Sequence, residues 1–281
     1  MFHHFLITRF NLRNADWKVS KSNNEVLTEE WHKDRFQLFT DFCFPSVQSQ
    51  SNQNFKWLVF FDKTTPEKYK SLIQTFQSKM ENFIPLFIDD MNSFLPEIKS
   101  YISKSNSKYL ITSRLDNDDC IGKYYIEEIQ KKFNNQDFMA FDFIDGYTIQ
   151  KYPSVKIGKR LDQFNPFITL IEKNENPKSV WQVRHSHWKR EKYVTKIRDK
   201  RVWAVIIHKE NKINSFVGYD KVDIDVFFEN FTISEKEEQN IRLNYISYSN
   251  WKNQSHSNYI SSIWNFTYKN IKKNLGVYKF K

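Results

Sequence analysis

The sequence predicts an α/β protein, a mixed but mostly parallel sheet flanked by helices with a helical or irregular C-terminal extension. Three observations predict it. Short apolar runs alternate with helically spaced segments four times in the first half of the 281 residues. The second of those runs, 57–61, is nearly continuous in apolar residues, as expected of a strand covered on both faces. Polar or acidic residues close each run, where open α/β sheets collect their ligands.

Residues 3–10 read as a strand ending in Thr8 and Arg9, followed by a polar loop through residue 24. Thr28, Glu29 and Glu30 can cap a helix whose apolar positions are Trp31, Phe36, Leu38, Phe39 and Phe42, and Pro45 is expected to stop it. Residues 57–61 form the second strand, broken at Asp62, and Pro66 opens a helix to about residue 78. A strand over 83–88 closes at Asp89 and Asp90, a helix covers 93–105, a fourth strand covers 109–112, and helical spacing returns over 122–133. Asp62, Asp89 and Asp116 therefore stand at strand ends.

After residue 133 the order changes. Residues 138–143 and 147–150 read as two strands joined by a tight turn at Asp145-Gly146, and 167–171 and 202–207 as two more. Between those last two lies a polar, histidine-containing stretch, 173–200. Beyond about residue 220 the pattern weakens into aromatic, polar and basic segments, and no internal repeat is found. The domain reading is 1–220 as the catalytic unit and 221–281 as an extension.

Hydrophobic residues make up 40% and aromatics 17%, which excludes a disordered chain. No run of 18 or more apolar residues and no signal-peptide pattern is present, so the expected compartment is the cytoplasm. Cys43 and Cys120 are far apart and outside any C-x-x-C context, so neither a disulfide nor a zinc site is implied, and both read as buried thiols. The net charge of +10 favours anionic partners of some kind.

The strongest chemical signal is the run Thr112-Ser113-Arg114-Leu115-Asp116-Asn117-Asp118-Asp119, a strand ending in three carboxylates within four residues. Like charges this close need a counter-ion, and a hard divalent cation such as Mn or Mg suits oxygen ligands and would hold a nucleotide diphosphate. The competing reading is an ordinary acidic turn preceding a helix.

The same run resembles the acidic signature of the family described as "putative rhamnosyl transferase", among glycosyltransferases of the GT-A fold. Further segments match in order: 4–11, 35–47, 55–62, 165–172 and 203–208. The resemblance spans roughly residues 3–215 and lies in the ordered set more than in any one motif. It implies a metal and diphosphate site of the D-x-D type at Asp116 and Asp118 with Asp119 beside them, Arg114 and Asn117 joining the donor-binding set. It also implies that Thr8, Arg9 and Asp62 line the nucleoside pocket and that His208 is a further metal ligand. Asp62 and His208 also have plainer readings, as a helix cap before Pro66 and as a solvated strand-end histidine.

His185 and His187 would share one face if their segment is a strand, and both are acceptor-side candidates. Asp142 and Asp145 are candidates for the base that takes the acceptor's proton, each with a competing role as a turn residue. Arg184, Lys189 and Arg190 could meet a diphosphate. The expected reaction is transfer of a sugar, rhamnose among the candidates, from a UDP-, GDP- or dTDP-sugar to a glycan or lipid-linked acceptor by a hexosyltransferase. The basic tail is expected either to pack on the core or to touch the inner face of the membrane through Trp264, Phe266, Tyr268, Tyr278 and Phe280. The alternatives are a metal-dependent phosphohydrolase or nuclease, and a noncatalytic nucleic-acid-binding protein; neither a helix-turn-helix nor an RNA-binding signature supports the latter.

Overall fold

The computed structural model describes residues 1–14, 26–209 and 215–278. Strands β1 (Phe2–Arg9), β2 (Lys56–Asp62), β3 (Phe83–Ile88) and β4 (Tyr109–Arg114) run parallel in the order β4-β1-β2-β3. Beyond β4 the sheet turns mixed: β9 (Thr169–Lys173) pairs antiparallel with β4, β6 (Phe138–Phe143) antiparallel with β9, and β10 (Val194–Ile197) parallel with β6. A second sheet of four strands has the order β5-β11-β7-β8, with β5 (Cys120–Ile121), β7 (Asp145–Gln150), β8 (Lys156–Leu161) and β11 (Trp203–Ile207). This is the mixed, mostly parallel α/β architecture that the alternating pattern predicts.

Because side chains alternate along a strand, both faces of the large sheet are buried. Leu6, Trp57, Val59 and Phe61 pack with Phe36, Phe39, Phe44 and Phe76 on one face. On the other, Phe5, Ile7, Leu58 and Phe60 pack with Phe94, Ile98 and Trp181. The first face is an aromatic stack: Phe10 lies 4.4 Å from Phe36, and Phe36 4.6 Å from Tyr69. Pairs of this kind add about 0.5–1.5 kcal/mol each to the area they bury.

Three expectations about the elements are corrected. Pro45 does not end the first helix. α1 (Glu29–Leu38), capped by the Thr28 hydroxyl, continues through a π-helical turn at Phe39–Cys43 into α2 (Phe44–Gln48). The reason is local: Pro45 has no N–H to give the Asp41 carbonyl, the Phe44 N–H reaches back five residues to the Phe39 carbonyl, and the orphaned Asp41 carbonyl is taken by Ser234 N–H at 2.8 Å.

The hairpin expected at Asp145-Gly146 does not form either. β6 belongs to the large sheet and β7 to the small one, so the chain crosses between sheets at Ile144. Gly146 is there because the Trp203 ring lies against its backbone; a Cβ would stand 2.3 Å from that ring. Lastly, His185 and His187 fall in a short 3-10 helix, His185–Arg190, and not in a strand.

The remaining helices cover these sheets. They are α3 (Glu67–Lys79), α4 (Met91–Ile102), the short α5 (Tyr125–Gln130), α6 (Ile224–Asn230), α7 (Glu235–Asn244) and α8 (Lys252–Asn274). Phe227, Phe231 and Ile241 of the C-terminal segment pack with Phe42, Cys120 and Ile206, so α6 and α7 are part of the core. Both cysteines are free and buried. The polar loop expected through residue 24 lies largely outside the described residues, as does Phe280. No helix among the described residues is long and apolar enough to cross a membrane.

Candidate active site at the junction of the two sheets

The acidic run leaves β4 of the large sheet and reaches β5 of the small one, so its turn lies where the two sheets meet. Asp119 N–H closes the turn on the Asp116 carbonyl at 3.3 Å, and Leu115 N–H bonds the Ile7 carbonyl of β1. Asn117 ties the turn to the strand end by donating to the Phe10 carbonyl at 2.8 Å. Beneath it, the π-helical turn brings the Cys43 thiol 3.8 Å from the Asp116 carbonyl.

The carboxylates have unlike surroundings. Asp118 Oδ2 accepts from Arg35 of α1 at 2.6 Å and lies 3.1 Å from His208 Nε2 at the end of β11. Burial pushes its carboxyl up, but the charges and hydrogen bonds of Arg35 and His208 win and hold it well below the usual range. Asp119 is buried with Oδ1 taken by the Ile206 N–H at 3.0 Å, and burial together with the charges of Asp118 and Asp116 pushes it well above the usual range. Asp116 is the more open of the set and pairs loosely with Arg114 at 3.4 Å.

Two arginines act on this turn, Arg114 buried and Arg160 partly buried. Arg114 lies 3.8 Å from the centroid of the Trp181 ring, which Arg9 also approaches at 5.8 Å, and Trp181 is itself anchored to the Ile7 carbonyl. Arg160, at the end of β8, pairs with Asp162 at 2.8 Å, and its charge acts on Asp119. Arg114 Nε and Arg160 Nε and Nη1 are buried with no hydrogen-bond partner among the described residues. A buried donor left unmet costs about 1–3 kcal/mol, so these atoms favour whatever acceptor enters. His185 bonds the Phe164 carbonyl through Nδ1 at 2.7 Å. Burial and then the charge of Arg114 lower its pKa, while Asp116 and Asp162 pull the other way, so groups from three segments face one another.

The other expected site residues are placed as follows. Thr8 is fully buried and accepts from Trp57 Nε1 at 2.9 Å. Asp62 is buried and works as a turn carboxylate, bonded by Thr64 N–H and hydroxyl and by Arg13 Nε at 2.9 Å. Burial raises its pKa, but these donors outweigh it and keep the carboxyl below the ordinary range. Asp142 is fully buried on β6, with its oxygens taken by Phe164 N–H at 2.6 Å and Asn165 Nδ2 at 2.8 Å. Asp145, also buried, accepts from Asp199 N–H and holds the Arg198–Arg201 loop. His187 sits half-buried in the same helical turn as His185. Arg35, Arg160, Asp162 and Trp181 carried no role in the sequence reading. Arg35 stood inside a matching segment, and nothing local marks the other three.

Among the described residues no cluster of three or more His, Cys, Asp or Glu is arranged to hold a metal ion. Two donors nonetheless converge, Asp118 and His208, and one carboxylate with one imidazole fits a divalent ion that completes its shell with phosphate oxygens and water. Arg35 occupies the same Asp118 oxygen and supplies part of the positive charge itself. A cavity of about 160 Å³ lined by Lys63, Phe87, Asp89, Ser93 and Glu97 lies at the β3 side, separated from the acidic turn by β1 and β2.

A mixed, mostly parallel sheet thus carries an acid-and-arginine turn at the end of its fourth parallel strand. The chain belongs to the family described as "Putative rhamnosyl transferase", which matches residues 3–218. Several solved structures are distantly similar. TarS 1-349 of S. aureus is 8% identical over 73% of this chain, with a TM-score of 0.41, and the chain spans 60% of that fragment's length. The same fragment in complex with UDP is 11% identical over 86% of this chain and 69% of that one, TM-score 0.41. HddC from Yersinia pseudotuberculosis is 10% identical over 70% of this chain and 90% of that one, TM-score 0.37. No curated protein matches the sequence.

Proposed function

We propose that the enzyme moves a sugar, rhamnose among the candidates, from a nucleoside-diphosphate donor to a hydroxyl of a glycan or lipid-linked acceptor, with the donor diphosphate at the Asp116–Asp119 turn. The observation that carries this reading is the set of unpaired donors on Arg114 and Arg160. Two enclosed cations with spare N–H groups, acting on the carboxylates of the turn, suit a diphosphate, which brings several acceptor oxygens and negative charge. Arg114 rests on the Trp181 ring, 3.8 Å from its centroid, which limits its motion before the donor arrives. A divalent ion at Asp118 and His208, Mn or Mg, would neutralise charge on the departing nucleotide.

On the acceptor side stand His185 and Asp162. In transfer, the acceptor oxygen forms a bond to the anomeric carbon as the bond to the diphosphate breaks, and a carboxylate takes the hydroxyl proton. Asp142 and Asp145 are enclosed and hold loops in place, whereas Asp162 is a partly exposed acid in the electrostatic surroundings of His185. We therefore assign the proton to Asp162 and a positioning role to Asp142 and Asp145.

The test is a panel of UDP-, GDP- and dTDP-sugars with Mn or Mg, read by thermal stabilisation and slow donor hydrolysis on the wild type and Asp118→Ala. One donor should raise the midpoint, and the rise should vanish without metal or in the variant. If no donor binds while RNA or DNA binds with steep salt dependence, the transferase reading is overturned.

A further inference from the structure

Helix α8 presents a stripe of apolar residues to solvent. At about 100° per residue, Ile260, Trp264, Tyr268, Ile271 and Leu275 fall within an arc of roughly 80°. All five are exposed, with Ile260 at 67%, Trp264 at 71% and Leu275 at 73%. The opposite arc carries Ser255, Asn258, Phe266, Lys269 and Lys273, and these make the contacts: Ser255 accepts from Asp220 N–H at 2.8 Å, Asn258 donates to the Gly218 carbonyl at 2.9 Å, and Lys273 reaches the Glu191 carbonyl. Phe266 packs against the Ile144, Leu161 and Tyr219 cluster, so it does not belong to the outer face expected from the sequence. A contiguous exposed stripe of this kind marks an interaction surface.

Charge decides what covers it. No Asp or Glu follows Glu238, whereas seven Lys and Arg lie between Arg242 and Lys281, out of a net +10 for the chain. A second copy would bring the same positive charge against the stripe and be repelled. An anionic lipid surface supplies both the negative charge and the apolar layer, and the helix lacks the hydropathy to span it.

We propose that α8 lies in the plane of an anionic phospholipid bilayer, with Ile260, Trp264, Ile271 and Leu275 entering the interface and Lys272, stacked on Tyr268, meeting head groups. Docking stands independently of the transferase assignment. One consequence rests on that assignment: the inner face of α8 holds the 162–165 loop through the Gln163 bond to the Phe266 carbonyl and the Lys269 pair with Asp162, which places the acceptor side next to the lipid.

The experiment is flotation of the full chain with vesicles of phosphatidylcholine alone and of phosphatidylcholine with phosphatidylglycerol. The wild type should float with the anionic vesicles only, less so at high salt. The double variant Trp264→Ser with Ile271→Ser should lose at least about tenfold in binding, while its thermal midpoint and its donor response stay those of the wild type. Absence of flotation with anionic vesicles, or flotation unchanged in the double variant, overturns the proposal. So does a wild-type dimer in size-exclusion chromatography that the same variant dissolves, since it makes a second copy the occupant. A wild type that floats but responds to no donor would leave docking standing and remove the transferase reading.

Discussion

Arg160 shows how much of the site depends on side chains that the acidic motif does not include. Its Nη2 donates to Asp162 at 2.8 Å, and its enclosed Nε and Nη1 meet no acceptor among the described residues. Arg160→Met should therefore leave the unliganded protein about as stable as before, because it removes unmet donors along with the ion pair. The same change should weaken sugar-nucleotide binding by roughly tenfold or more, about 1.5–3 kcal/mol for a hydrogen bond to a charged group. Calorimetric titration checks it: equal donor affinity in the variant and wild type would remove Arg160 from the diphosphate site. Legibility at this scale was uneven. The acidic run was plain because three carboxylates in four residues are conspicuous, but that Asp119 serves β11 through the Ile206 N–H while Asp118 faces Arg35 and His208 depends on how a turn is rotated.

Among the elements, the crossing from β6 to β7 is the one the local pattern misread. An acid followed by glycine between apolar runs has the look of a two-residue hairpin with Gly146 as its turn residue. Its φ needs no glycine; the Trp203 ring does, since any Cβ would meet it at 2.3 Å. Gly146→Ala should lower stability by about 1–3 kcal/mol, as overpacking does in a core with no free volume. Denaturant unfolding measures the loss, and an alanine variant as stable as the wild type would show that Trp203 can move aside. The first helix teaches a related lesson, because Pro45 broke a hydrogen bond without breaking the helix: a π-helical turn and Ser234 took up the freed groups. Ser234 lies 193 residues from Asp41, beyond any window of local pattern.

For the molecule as a whole, Asp142 makes stability depend on pH. Burial above all, and the nearby charge of Asp162, raise its pKa from 3.8 to about 7, against the pull of Phe164 N–H and two lysines. A carboxyl whose pKa is higher folded than unfolded contributes stability that is whole below about 3.8 and is lost as pH rises through about 7. The wild type should therefore lose on the order of 3 kcal/mol relative to Asp142→Asn between pH 4 and pH 7. Unfolding curves of the two proteins across that range decide it; parallel pH profiles would place Asp142 in a more hydrated setting than its burial indicates.

The order of the first four strands and the helices between them, the parallel part of the sheet and the acidic strand end were determined by the sequence alone. Each rests on periodicity and adjacency, which act over a few residues. Only the tertiary structure decided that two sheets meet at the acidic turn, that Arg35, Arg160 and His208 converge on it from three distant segments, and that α8 turns its apolar stripe outward. A helical pattern in sequence gives the angle of a stripe about its own axis. Which way that stripe faces is set by the packing of every other element, here by Ser255, Asn258 and Phe266 docking the opposite side.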